Sequence, residues 1–134
     1  MRKVPSLYYD AELRSLVERA DKHLRKSNVI LDIGGTGESD MQRFFSPQVK
    51  GKIRNVNVVR APGTDLVMNA MDLKIKSGSV DAILSFNTLE HVENDDKAIS
   101  EMKRALKRGG FLLVTMPFIE AFHSYGGDYR RCQG

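Results

Sequence analysis

The chain has 134 residues, of which 41% are hydrophobic and 28% charged, proportions that predict one globular domain with a sizeable core spanning residues 1–134. No apolar run reaches membrane-spanning length, and the single cysteine, Cys132, excludes an internal disulfide and a multi-cysteine metal site, which suits a reducing cytoplasm. The net charge of +4 is scattered over short groups such as Arg2-Lys3, Lys103-Arg104, Lys107-Arg108 and Arg130-Arg131, a pattern of solvated helix faces rather than of a nucleic-acid surface.

In chain order, Leu13, Leu16, Val17, Ala20 and Leu24 recur at helical spacing and predict a leading helix within residues 1–27. Residues 29–33 form an apolar strand interrupted only by Asp32, and it runs straight into Gly34, Gly35 and Gly37. A strand feeding a glycine turn lets backbone approach a nucleotide-like ligand, although the same glycines also serve a tight turn that binds nothing. A short helix is expected from about Asp40 to Phe45, stopped by Ser46-Pro47, with residues 48–52 as a loop.

Further along, residues 53–59 carry the β-branched mass of a second strand, ended by Ala61-Pro62-Gly63, and residues 65–68 form a short third strand. Residues 80–86 form a fourth strand with the continuous apolar centre of one covered on both faces. Asn94 caps a helix whose buried stripe is Ala98, Ile99, Met102, Ala105 and Leu106, with Lys107, Arg108 and Gly109-Gly110 as its stop. A fifth strand occupies residues 111–116, which closes a core of residues 28–117, and a tail at 118–134 shows no period.

Strung together, Asp32 and its glycine turn, Ser79-Val80-Asp81-Ala82-Ile83-Leu84-Ser85, Leu89-Glu90-His91-Val92 and the Leu106-Lys107-Arg108-Gly109-Gly110 turn give a chain that resembles the class I S-adenosylmethionine-dependent methyltransferases, in particular the type 11 group. The tail adds Pro117-Phe118, His123 and Asp128-Tyr129-Arg130-Arg131, similar to a pattern found in part of that family. The resemblance implies a three-layer, Rossmann-like α/β fold with a mostly parallel sheet in the order 3-2-1-4-5. It also implies methyl transfer from S-adenosylmethionine to a small-molecule acceptor.

Residue by residue, the resemblance assigns Asp32, Gly34, Gly35 and Gly37 to the methionine part of the cofactor, with Asn87 lining the same pocket. Asn57 falls at the ribose anchor and Asn69 at the adenine anchor, with Ala70 and Met71 beside the ring. His123, on the loop after the fifth strand, is the candidate catalytic base; His91 reads more simply as a helix-entry residue. No residue is assigned to a metal.

The glycine turn is one residue shorter than the family pattern, and both anchors are amides where the family prefers carboxylates. An amide forgoes the charge assistance that strengthens a hydrogen bond, so Asn57→Asp is expected to tighten cofactor binding. The same amides favour a second reading, a non-catalytic methyltransferase-like binding or regulatory subunit. A nicotinamide dinucleotide enzyme fits less well, since neither its glycine fingerprint nor its ribose acid is met. Residues 118–134 are too few for the sixth and seventh strands of the resembled fold, so the fifth strand is expected to present an apolar edge. A second copy, a separate subunit or the folded-back tail would cover it, self-association being the first expectation.

Overall fold

The computed structural model describes residues 6–35 and 42–116. Helix α1, Ser6–Leu24, leads into strand β1, Ile30–Ile33. A 3-10 turn, Gln42–Phe44, and the one-turn helix α2, Pro47–Lys50, connect to strand β2, Ile53–Asn57. Strands β3, Leu66–Val67, and β4, Val80–Phe86, follow. After a second 3-10 turn, Leu89–His91, helix α3, Asp95–Ala105, delivers the chain to strand β5, Leu106–Thr115.

All the strand pairs are parallel and the sheet order is β3-β2-β1-β4-β5, as the resemblance implies. Strand β1 is central because its residues satisfy both neighbours: Ile30 lies opposite Ile53 on one side and Ala82 on the other. Alternation of side chains along each strand then builds two cores. Ile30, Ala82 and Leu84 face Val17, Ala20 and Leu24 of α1 together with Phe45 and Val49. Leu31, Ile33, Val56 and Ile83 face Ala98, Met102 and Ala105 of α3. The result is three layers, with the carboxyl ends of β1, β2, β3 and β4 along one edge.

Four local readings of the sequence change. Ser46-Pro47 starts a helix rather than stopping one: Ser46 is the N-cap, its hydroxyl accepting the Val49 N–H, and proline sits at the first helical position, where its missing N–H costs nothing. The second strand ends at Asn57, leaving Val58 and Val59 about two-thirds exposed, at 65% and 64%. Helix α3 stops at Ala105, and Leu106 pairs with Val80 in the sheet instead of extending the helical stripe. The register then slips, so that Ala82 meets Phe111, and residues 107–110 bulge out around Gly109 at φ +78°.

The entry to β1 is fastened from a distance. The Asp81 carboxylate accepts the backbone N–H groups of Asn28 and Val29 at 3.0 and 2.8 Å and takes the Lys107 ammonium at 3.0 Å. The Val29 hydrogen bond, the Lys107 contact and the Asn28 hydrogen bond hold the Asp81 carboxyl below the usual carboxylate range.

Candidate functional site

A cleft of about 280 Å³ opens at the carboxyl edge, where ligands settle in open α/β sheets. Its floor is Ile33 and Gly34 at the end of β1 and Val56 and Asn57 at the end of β2. Met68, Asn69, Ala70 and Met71 form one wall, and Thr88, His91, Val92 and Glu93 form the other. The walls are largely apolar with a few polar groups at the rim, the usual composition of a small-molecule site.

Gly34 is indispensable to this floor. Its φ is +87°, and a Cβ there would collide with the Thr88 side chain on the opposite wall. Gly35 is needed for a different reason, close approach: a Cβ there would strike the side chains of Asp32 and Asn55.

Beneath Gly35 lies a polar cluster that the sequence reading missed. Asp32 and Asn55 are register partners on β1 and β2 and are both buried, and Gln42 Nε2 bridges them, donating to Asp32 Oδ2 at 2.6 Å and to Asn55 Oδ1 at 2.7 Å. Asn55 is secured in turn by Asp65, whose Oδ2 accepts the Asn55 backbone N–H at 2.7 Å. Among the described residues no donor reaches Asp32 Oδ1. Burial pushes the Asp32 carboxyl up from its ordinary 3.8 to about 6, and the Gln42 hydrogen bond only partly offsets this. The available signal was the pairing of β1 with β2, which sets a polar residue of one buried strand beside the acid of the other.

Gly34, Asn57, Asn69, Ala70 and Met71 therefore meet in the cleft. Asp32 and Gly35 sit one layer behind it. Asn87 does not line it: that residue is exposed beyond β4 in a left-handed conformation, φ 51°, and the neighbouring Thr88 takes the place on the wall. His91 does line it, with Nε2 3.5 Å from Glu90 Oε1. Gly37 and the proposed base His123, with the rest of the tail, lie outside the described residues.

Both amide anchors have internal work. Asn57 Nδ2 donates to the Gly35 carbonyl at 2.6 Å and to Thr64 Oγ1 at 3.0 Å. Asn69 Oδ1 accepts the Met71 N–H at 2.9 Å and shapes the wall. The expectation that an acid at position 57 would tighten binding is thereby reversed, because Asn57→Asp would set a carboxylate against the Gly35 carbonyl oxygen. We expect that variant to lose about 1 kcal/mol of stability and to bind no adenosine-containing ligand more tightly, as melting and calorimetric titration would show.

Fold and site together define an α/β protein of Rossmann-like topology with a cleft at the carboxyl edge of its sheet. A family model described as a methyltransferase domain matches residues 39–114, and the chain belongs to that family. S-adenosylmethionine is the cofactor that this membership brings. No curated protein matches the chain.

Among solved structures, the YcgJ protein from Bacillus subtilis is 21% identical over 77% of this chain and 50% of its own, with a TM-score of 0.56. The cyclase SpnF is 21% identical over 90% of this chain and 52% of its own, with a TM-score of 0.62. The methyltransferase CalH, solved in complex with SAH, is 14% identical over 75% of this chain and 35% of its own, with a TM-score of 0.58. These likenesses show the fold. The chain spans about half the length of the first two and a third of the last.

The cleft suits the cofactor in two respects. The apolar slot between Val56 and residues 68–71 can take a flat purine, and the buried Asp32 Oδ1 behind the glycine turn, which no donor among the described residues reaches, offers an acceptor for an ammonium group.

Proposed function

We propose that this chain forms the cofactor-binding unit of a methyltransferase acting on a small-molecule acceptor. The single observation that carries the reading is the cleft itself: an apolar slot at the carboxyl edge, floored by a positive-φ glycine, within a chain of the methyltransferase domain family. The cofactor supplies an electrophilic methyl group on a sulfonium sulfur. Residues 69–71 and Val56 would hold its base, and Asn57 at the β2 end would face its ribose. Gly34 would admit the sulfur-bearing chain, and Asp32 would receive its amino group from behind. Thr88 and His91, on the far wall, stand where the acceptor would enter. Alignment of that acceptor with the methyl group is the main contribution the walls make, and His123 remains the proposed base.

S-adenosylhomocysteine at ten times its Kd should stabilise the protein by about 1.4 kcal/mol and raise Tm by several degrees, while NAD leaves Tm unchanged. No shift at saturation would overturn the reading.

One observation favours the alternative, a non-catalytic binding or regulatory subunit. The Oδ1 of Asn69, the acceptor at the adenine anchor, is already engaged by the Met71 N–H. The fold is also compatible with other chemistry, SpnF being a cyclase. Binding of S-adenosylhomocysteine without turnover on any acceptor would select that alternative.

No helix among the described residues is long and apolar enough to cross a membrane. The lone Cys132 supports placement in the cytoplasm. Among the described residues β5 pairs on one side only, and its half-buried Phe111, Leu112, Leu113 and Val114 support a second copy of the chain or a separate subunit along its outer edge.

A further inference from the structure

Behind the base-side wall of the cleft lies the densest set of charged hydrogen bonds among the described residues. The wall is a tight loop: the Asp72 N–H donates to the Asn69 carbonyl at 2.9 Å, and Asn69 and Asp72 form an isolated antiparallel bridge. The next residue, Leu73, is buried and held at both backbone groups. Its N–H donates to Glu101 Oε2 at 2.8 Å, and its carbonyl accepts Arg104 Nη2 at 2.8 Å.

Arg104 Nη1 donates onward to the Ile75 carbonyl at 2.8 Å and to Ser77 Oγ at 2.9 Å. Its Nε and Nη2 donate to the two Glu101 carboxylate oxygens at 2.9 and 3.0 Å. A guanidinium has five N–H groups, and all five are used. The two side chains stand one turn apart on α3, which is anchored through the buried Ala98, Met102 and Ala105. The helix is therefore the fixed part, and the loop is what the pair adjusts.

A partly exposed ion pair adds little to global stability, but a planar fork reading three carbonyl or hydroxyl oxygens specifies geometry that a point charge does not. We infer that Glu101 and Arg104 are positioning residues for the base-side wall, setting where Ala70 and Met71 stand and thereby the affinity for the adenosine part of the ligand. This inference rests on the methyltransferase reading of the cleft.

The test is Arg104→Lys, which keeps the charge and loses the fork, beside Glu101→Gln, each compared with the unaltered protein. Both variants should bind S-adenosylhomocysteine about tenfold more weakly, the equivalent of one charged hydrogen bond, and adenosine should weaken by the same factor. Without ligand, amide exchange should rise at residues 70–75 while α3 and β4 keep their protection. With an acceptor in hand, KM for the cofactor should rise and kcat should hold.

Unchanged affinity in both variants would overturn the inference, and so would exchange that rises evenly across the molecule. If the unaltered protein binds no S-adenosylhomocysteine, the methyltransferase reading fails instead, and the exchange experiment still decides whether the pair sets the wall.

Discussion

Gly34→Ala should cost about 2–5 kcal/mol and abolish binding in the cleft. Two separate penalties combine. A side chain at φ +87° costs on the order of 1–2 kcal/mol, and the added Cβ would occupy space filled by the Thr88 side chain. Thr88 belongs to the loop after β4 and lines the cleft, so relief must come from movement of that wall. Chemical denaturation of the single variant and of Gly34→Ala with Thr88→Gly separates the two parts. The double variant should recover the collision and keep the backbone penalty. A loss below about 1 kcal/mol in the single variant would mean that the turn relaxes freely.

The second large effect is a fall in stability between about pH 4 and pH 6, governed by Asp32. Its folded-state value of about 6 lies above its ordinary 3.8, so between those values the folded protein holds a proton that the unfolded chain has released. Stability must therefore decline as pH rises through this window, by about 3 kcal/mol in total, and level off above it. Asp81 and Glu101 act oppositely and at lower pH. Hydrogen bonds from Val29 to Asp81 and from Arg104 to Glu101 hold both carboxyls below their ordinary range, so their contribution is lost on acidification below about pH 4. Asp32→Asn should remove the decline between pH 4 and 6, because an amide oxygen still accepts from Gln42 without titrating. Saturating S-adenosylhomocysteine should flatten it in the unaltered protein by setting an ammonium against Oδ1. A stability curve already flat across that window would refute the assignment.

The legible parts of the sequence were those fixed by periodicity and local chemistry. Residues 80–86 were delimited correctly because a strand covered on both faces is apolar in the middle. The Asn94 cap was readable because a side-chain oxygen four residues before the first residue of the helical stripe has few other uses, and it does accept the Lys97 N–H. Boundaries failed where pairing decided them: Val58 and Val59 have β-branched character but pair with no strand among the described residues, and Leu106 has helical spacing but lies opposite Val80. The cleft floor and one wall were anticipated through the family motifs. Gln42, Asn55 and the Arg104 fork were not, since each owes its role to residues far along the chain that only the folded sheet brings close.

The Asp81 fastening has a consequence for the order in which the molecule is built. The two N–H groups at the head of β1 are satisfied by a side chain more than fifty residues later, and the Val29 carbonyl accepts from Asp81 and Ala82 of the same strand. During synthesis the head of β1 therefore emerges more than fifty residues before the carboxylate that fastens it and the strand that covers its other side. Each closure that completes β1 is a long loop, and such loops are slow to form because their entropy is spent before their contacts return it. The head of the strand at the centre of the sheet is thus completed only once β4 has docked.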